Sequence, residues 1–211
     1  MVGSPTTAPQ DGVSLEITRS PGCKVTAAGA WAGQDTRMST RDIFPLEGGC
    51  DCGSLRYQLV KRPLIVHCCH CRWCQRESGA SFALNALIEA DYLIDSGATP
   101  QIVDTPSESG KGQKIARCAT CYVAVWSNYY SAGPVIRFLR VGTLDAPDRL
   151  PPDIHIFTRS KQPWVILPKD VPAVEIYYER EAVWSPESLA RRLLIQPRIA
   201  AYQSTRAAAD R

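Results

Sequence analysis

From Leu46 onward, apolar and polar positions alternate with a period of two, and the pattern predicts a series of short strands. Leu55, Tyr57 and Leu59 alternate with Arg56 and Gln58, which marks a strand with one buried face. Leu64 to Val66 forms a second apolar run, and after the break at Gly79 a third strand is expected from the alternation of Phe82, Leu84, Ala86 and Ile88. Tyr92 to Ile94 and Gln101 to Val103 predict two more, separated by a turn at Gly97-Ala98-Thr99-Pro100. A polar loop over Ser107 to Gly112 precedes further runs at Val123 to Trp126, Val135 to Val141, His155 to Thr158 and Val174 to Tyr178.

The period changes once. Ser185-Pro186-Glu187 reads as an N-cap, a first-turn proline and an early acid, and Leu189, Leu193 and Leu194 follow at helical spacing until Pro197, where the helix is expected to stop and leave a loose tail. Residues 1–44 are rich in Ser, Thr, Pro, Gly and Ala with no sustained period, which predicts a flexible extension carrying one lone thiol, Cys23. The expected organisation is an extension over 1–44, a mainly β domain over 45–182 and a helix with its tail over 183–211.

At 211 residues, 45% hydrophobic and 21% charged, the chain has the composition of a globular protein able to bury a core. A net charge of +3, with no basic run, gives no reason to expect nucleic acid. No apolar stretch reaches the roughly 18 residues that would span a bilayer. No secretory signal is evident, and the expectation is a cytoplasmic protein in which clustered cysteines are metal ligands before they are disulfides.

Seven of the nine cysteines fall in clusters: Cys50 and Cys52, Cys118 and Cys121, and the triplet Cys69, Cys71 and Cys74. Zinc takes four tetrahedral ligands when structural and three protein ligands plus an open position when catalytic. The two pairs make a complete four-thiolate set that would close a long loop, and the triplet makes an incomplete one. His70 or Cys68 could in principle complete the triplet, but in extended backbone both point away from their neighbours, so the open site is favoured. Three thiolates around a dication leave a charge of about −1, which suits holding a further thiol as thiolate better than splitting water.

The run Gly48-Gly49-Cys50-Asp51-Cys52-Gly53-Ser54-Leu55-Arg56-Tyr57, the triplet followed by Ser78-Gly79-Ala80-Ser81-Phe82, the Cys118-Cys121 pair and the segment His155 to Trp164 resemble the family of glutathione-dependent formaldehyde-activating enzymes, which also contains centromere protein V. The resemblance covers about residues 46 to 170. It implies a β-tent of packed antiparallel sheets and two zinc ions, a structural one on Cys50, Cys52, Cys118 and Cys121 and a catalytic one on Cys69, Cys71 and Cys74. It also implies a carbon-sulfur lyase-type activity that joins glutathione to a small electrophile such as formaldehyde. Two departures stand out: Tyr122 replaces the glycine usual after the last cysteine, and Gln75 stands where a basic residue often follows the triplet.

Glutathione carries two carboxylates, so cations are expected nearby, with Arg72, Arg76, Arg159 and Lys161 as candidates and Trp73 and Trp164 as candidate pocket walls. His155 is the candidate proton donor. Other readings are addition of glutathione to, or its removal from, a specialised metabolite, and a zinc-stabilised adaptor without catalysis. Nothing in the pattern fixes the oligomeric state. Deleting residues 1–40 should leave melting temperature and bound zinc nearly unchanged, because a segment with no apolar period has little surface to bury; a clear drop in the thermal midpoint would show that the segment is an integral strand or lid.

Overall fold

A computed structural model describes residues 43–209; the expected extension up to residue 42 and Cys23 lie outside the described residues. In chain order the strands are β1 (Leu46–Gly49), β2 (Leu55–Leu59), β3 (Ile65–Cys69), β4 (Ala83–Glu89), β5 (Leu93–Gly97), β6 (Gln101–Thr105), β7 (Gln113–Arg117), β8 (Ala124–Tyr129), β9 (Ile136–Arg140) and β10 (Ile154–Ile156). The helices are α1 (Arg72–Ser78), α2 (Arg180–Val183) and α3 (Pro186–Ala209). The protein is mainly β, with a three-stranded sheet in the order β1-β2-β5 and a seven-stranded sheet in the order β10-β3-β4-β9-β8-β7-β6. All pairs are antiparallel except β10 with β3.

The two sheets share one core, in which Leu46, Leu55, Tyr57, Leu59 and Leu93 meet Val66, Ala86, Ile88, Val125, Trp126 and Leu139. A second cluster covers the other face of the large sheet, where Ile65, Leu87, Ile136, Ile154 and Ile156 gather with Trp184, Ile195 and Ile199. Strand β4 is therefore buried on both faces. The alternation of Leu84, Ala86 and Ile88 marks the face toward the small sheet, while Ala83 and Leu87 belong to the opposite cluster. The turn after β5 does not close a hairpin; it hands the chain from the small sheet to the far edge of the large one.

Three expectations need correction. The triplet does not lie in uniformly extended chain, because α1 begins directly after Cys71. Val174 to Tyr178 is not a strand: preceded by one isolated parallel bridge, Ala173 with His155, it runs alongside the end of β10 through scattered bonds such as Phe157 N–H to the Ile176 carbonyl at 2.9 Å. Phe157, at a φ of 56°, turns the chain out of the extended conformation there, so a regular ladder cannot continue. Pro197 does not end α3, and no loose tail follows it up to Ala209.

Ser185 does cap α3, its Oγ accepting from the Ser188 N–H at 3.1 Å. An interior proline removes one helical bond and costs about 3 kcal/mol. Tertiary contacts on both sides of it offset that cost. Ile195 and Ile199 are buried, and burying one such side chain is worth about 1.5–3 kcal/mol. Arg198 pairs with Asp91, and the Tyr202 ring lies so close to Gly133 that a Cβ there would sit 2.4 Å from it. No helix of the described residues is long and apolar enough to cross a membrane.

The helix is fastened most firmly by a buried ion pair. Arg191, 7% exposed, meets Glu89, 2% exposed, through Nε–H to Oε1 at 2.9 Å and Nη2–H to Oε2 at 2.5 Å, and its Nη1 reaches the Arg62 carbonyl at 2.8 Å. Arg191→Leu strands the Glu89 carboxylate and should cost about 3–5 kcal/mol in denaturant unfolding, whereas Glu89→Leu/Arg191→Leu should recover most of it. A double variant no more stable than the single one would show that the carboxylate is not what the arginine compensates.

Candidate metal centres and a thiol-lined cavity

The first cluster is assembled from chain segments far apart in sequence. Cys50 and Cys52 lie in the turn between β1 and β2, and Cys118 and Cys121 lie in the turn between β7 and β8. Their four sulfurs lie within 4.8 Å of one another. Cys52 Sγ is 3.5 Å from Cys50 Sγ and 3.6 Å from Cys118 Sγ, close to the roughly 3.8 Å edge of a tetrahedron of thiolates around zinc. Backbone N–H groups of Leu55 and Thr120 point at Cys50 and Cys118 sulfurs, each at 3.3 Å. The Ser54 hydroxyl is 3.1 Å from both Cys52 and Cys118. Ser54 and the backbone N–H groups of Cys121 and Thr120 draw the Cys118 thiol down to about 5, so a thiolate is favoured there.

Tyr122 takes the conformation that a glycine would supply. Its φ is 61°, its N–H returns to the Cys118 carbonyl at 3.0 Å, and its side chain is 64% exposed. The left-handed region costs a residue with a Cβ about 1–2 kcal/mol, and the knuckle holds it nonetheless. The substitution therefore strains the turn without unmaking it.

The triplet forms a second cluster, buried and again within 4.8 Å. Cys69 ends β3, Cys71 caps α1 with its Sγ accepting from the Cys74 N–H at 3.3 Å, and Cys74 lies in the first turn of α1. Cys71 is pulled down to about 3 by the Cys69 and Cys74 thiols together with backbone N–H groups, while Cys69 is pushed up by Cys71, Cys74 and burial. One thiolate is thus comfortable at this spot without a cation, and ionising all three needs a positive ion among them. Among the described residues, no further Cys, His, Asp or Glu joins the three. The donor sets fit a closed four-thiolate ion at the first cluster and a three-thiolate ion with an open position at the second.

The three thiols line a cavity of about 430 Å³, which also meets His67, Asn85, Lys111, Tyr129, Phe157, Tyr177 and Arg180. Phe157, at positive φ, is the other strained residue beside a site. His67 is held by the Tyr178 hydroxyl at 2.6 Å, and burial lowers it to about 3, so its ring is neutral. Burial raises the Tyr129 phenol far above its ordinary value, keeping it a proton-bearing donor. Lys111, Tyr129, Tyr177 and Arg180 were not candidates on sequence, since no local pattern connects the loop after β6, the end of β8 and the stretch that runs into the start of α2.

His155 and His70 lie on the other face of the sheet. Strand alternation turns Cys69 and His67 toward the cavity and Cys68 and His70 away from it, and His155 is the register partner of Cys68. His70 Nε2 and His155 Nδ1 are 3.0 Å apart with ring planes at 28° and centroids 5.3 Å apart, so the rings meet head-on in an N–H···N bond. Cys68, His70 and His155 do come within 4.8 Å of one another, but two imidazoles aimed at each other do not converge on a common ion. Burial lowers both rings, His70 to about 4.

The His70 carbonyl accepts from Gln75 Nε2 at 2.7 Å and Ser160 Oγ at 3.0 Å, which fixes the backbone between two cysteines. Gln75 is thereby buried and internally bonded rather than presented to a ligand. None of the other sequence candidates lines the cavity. Arg72 donates to Gln75 at 2.5 Å, Trp73 packs beside the second core cluster, and Lys161 donates to the Val165 carbonyl at 2.7 Å. Trp164 is 71% exposed, Arg76 lies in the last turn of α1, and Arg159 reaches the cavity only through Glu108, at 3.8 Å.

These arrangements meet the comparisons with known proteins. A Halomonas elongata protein named "Putative glutathione-dependent formaldehyde-activating enzyme" is 27% identical over 125 residues, 57% of this chain and 79% of its own length. The crystal structure of a Rhodobacter sphaeroides protein matches over 61% of this chain and all of its own, with a TM-score of 0.38 and 16% identity, too low to bear on fold or function. The sequence model of one family, described as glutathione-dependent formaldehyde-activating enzyme, matches residues 45–160, and with more than half of its length inside that match the chain belongs to this family.

Proposed function

We propose that the protein joins glutathione to a small electrophilic carbonyl compound, as a zinc-dependent carbon-sulfur lyase-type enzyme. The observation that carries this reading is the convergence of three buried thiols, with no fourth protein ligand among the described residues, on the lining of a cavity of ligand size. Cys69, Cys71 and Cys74 would hold zinc, which would supply there an open position that favours an incoming thiol as thiolate. Cys50, Cys52, Cys118 and Cys121 would hold a second ion, which would tie the β1–β2 turn to the β7–β8 turn and serve the fold.

The chain's own groups do the rest. Lys111 attracts a carboxylate of the tripeptide, and Phe157 and Tyr177 keep water from the reacting carbon. Tyr129, kept protonated by its surroundings, is placed to donate to the carbonyl oxygen as negative charge develops on it. His155 acts from behind the sheet, orienting His70 and with it the Cys69–Cys71 backbone, and is a positioning residue in this reading.

The two centres separate by mutation. The metal on Cys118 closes a loop of 66 residues back to Cys52, so Cys118→Ser should yield insoluble or partly unfolded protein, a loss on the order of 10 kcal/mol. The triplet closes almost no loop. Cys71→Ser should therefore stay folded by circular dichroism, lose one of two zinc ions and lose thiol-dependent activity. The opposite pattern would reverse the two assignments.

The open position has a spectroscopic test. Glutathione added to cobalt-substituted protein should strengthen the sulfur-to-cobalt charge-transfer band while the ion stays four-coordinate. An unchanged spectrum at millimolar glutathione would count against a thiol site and favour a non-catalytic zinc scaffold.

A further inference from the structure

The family match ends at residue 160, yet part of the thiol cavity's wall comes from beyond it. Tyr177 belongs to the irregular segment that leads into α2, and Arg180 is the first residue of that helix. That segment is pinned to β3 by a chain of bonds, Trp184 Nε1–H to the Tyr178 hydroxyl at 2.8 Å and that hydroxyl to His67 Nε2 at 2.6 Å. Ser131, Phe138, Tyr177 and Arg180 are shared with an adjoining hollow of about 440 Å³, which continues to Trp184 and Arg192. The two spaces thus meet at one cation.

Arg180 and Arg192 have no carboxylate partner among the described residues. Arg180 lies over the Trp184 ring, 5.4 Å from its centroid, and Arg192 donates only to Gln196, at 2.5 Å. Burial and the nearby Arg180 charge both lower Arg192. Glu179 and Glu181 also line the hollow, without an ion pair to either arginine. Two neighbouring guanidiniums left unpaired beside a cavity make a place for an anion with planar geometry.

The division of cations says which anion. Lys111 lines the thiol cavity and not the outer hollow, so a glutathione carboxylate has a cation of its own, whereas Arg192 lines only the hollow. Formaldehyde, with two heavy atoms, would leave that hollow empty. On the reading that the protein adds glutathione to a carbonyl compound, we infer that the electrophile is an aldehyde bearing a carboxylate, which Arg180 and Arg192 hold in the outer hollow. The thiol sulfur forms a bond to the aldehyde carbon, the C=O π pair moves to oxygen, and that oxygen takes the proton the thiol gives up. Nothing leaves, and nothing is oxidised or reduced.

Two stable thioethers test this without turnover. Calorimetry on the zinc-loaded full chain should show S-carboxymethylglutathione, which carries an anion on the sulfur's substituent, binding about tenfold tighter than S-methylglutathione. Arg192→Gln should erase that preference and leave S-methylglutathione within about twofold of its original affinity, while Arg192→Lys, which keeps the charge and guards against a folding defect, should retain part of it. Equal affinities for the two thioethers in the unaltered protein would overturn the inference and leave the glutathione reading standing. Equal weakening of both by Arg192→Gln would assign the arginine to glutathione itself and overturn it too. Failure of either thioether to bind, with no glutathione-dependent turnover of formaldehyde or glyoxylate, would sink the glutathione reading as well.

Discussion

The alternation of side chains along β3 is the constraint on which the site depends. Residues two apart share a face of a strand, so the run from His67 to Cys71 divides into two sets: His67, Cys69 and Cys71 toward the cavity, Cys68 and His70 toward the back. A slip of one residue would exchange them. Both neighbours oppose such a slip, since β4 pairs Cys69 with Ala83 and β10 pairs Cys69 with Ile156. The cluster at the back adds a further restraint, because His70 is bound through its ring to His155 and through its carbonyl to Gln75 and Ser160.

Among the described residues, two with side chains occupy the left-handed backbone region, and each stands beside one of the clusters. Tyr122 closes the knuckle of the four-thiol set, and Phe157 turns the chain from β10 into the wall of the three-thiol cavity. Such conformations persist only where surrounding bonds over-determine them. At Tyr122 those bonds run to the Cys118 carbonyl and from Arg117, which donates to the Tyr122 carbonyl at 3.2 Å. At Phe157 the N–H is held by the Ile176 carbonyl at 2.9 Å. The second restraint also joins the family-matched stretch to the segment that carries Tyr177 and Arg180, so cavity shape and local strain have a common origin.

The C-terminal helix belongs to the same economy of contacts. Its buried Arg191 compensates Glu89 at the end of β4, and Ile195 and Ile199 complete the cluster that contains the cavity thiols Cys69, Cys71 and Cys74. An ion pair taken out of water gains little over an apolar pair of like shape, but it fixes which side chain faces which. Here it sets the helix against β4, and the cavity strand β3 is the next in the sheet.

The sequence by itself determined the strands with one wet face, the grouping of seven cysteines into a set of four and a set of three, and the capped start of the last helix. Each of those signals is local: a period of two, a pair spacing, a Ser-Pro-Glu start. The tertiary structure alone decided the rest. Pro197 reads as a stop because a proline costs helix free energy, and only the contacts of Ile199, Arg198 and Tyr202 with distant strands and turns outweigh that cost. His155 and Trp164 stand in a motif that resembles a site, yet strand parity sends the first behind the sheet, and the second lies exposed to solvent. Lys111, Tyr129 and Arg180 carry no mark in the sequence, because they become neighbours only when the β6–β7 loop, the end of β8 and the start of α2 close over the thiols. Ligand spacing is written in adjacent residues, whereas a cavity wall is a product of long-range packing.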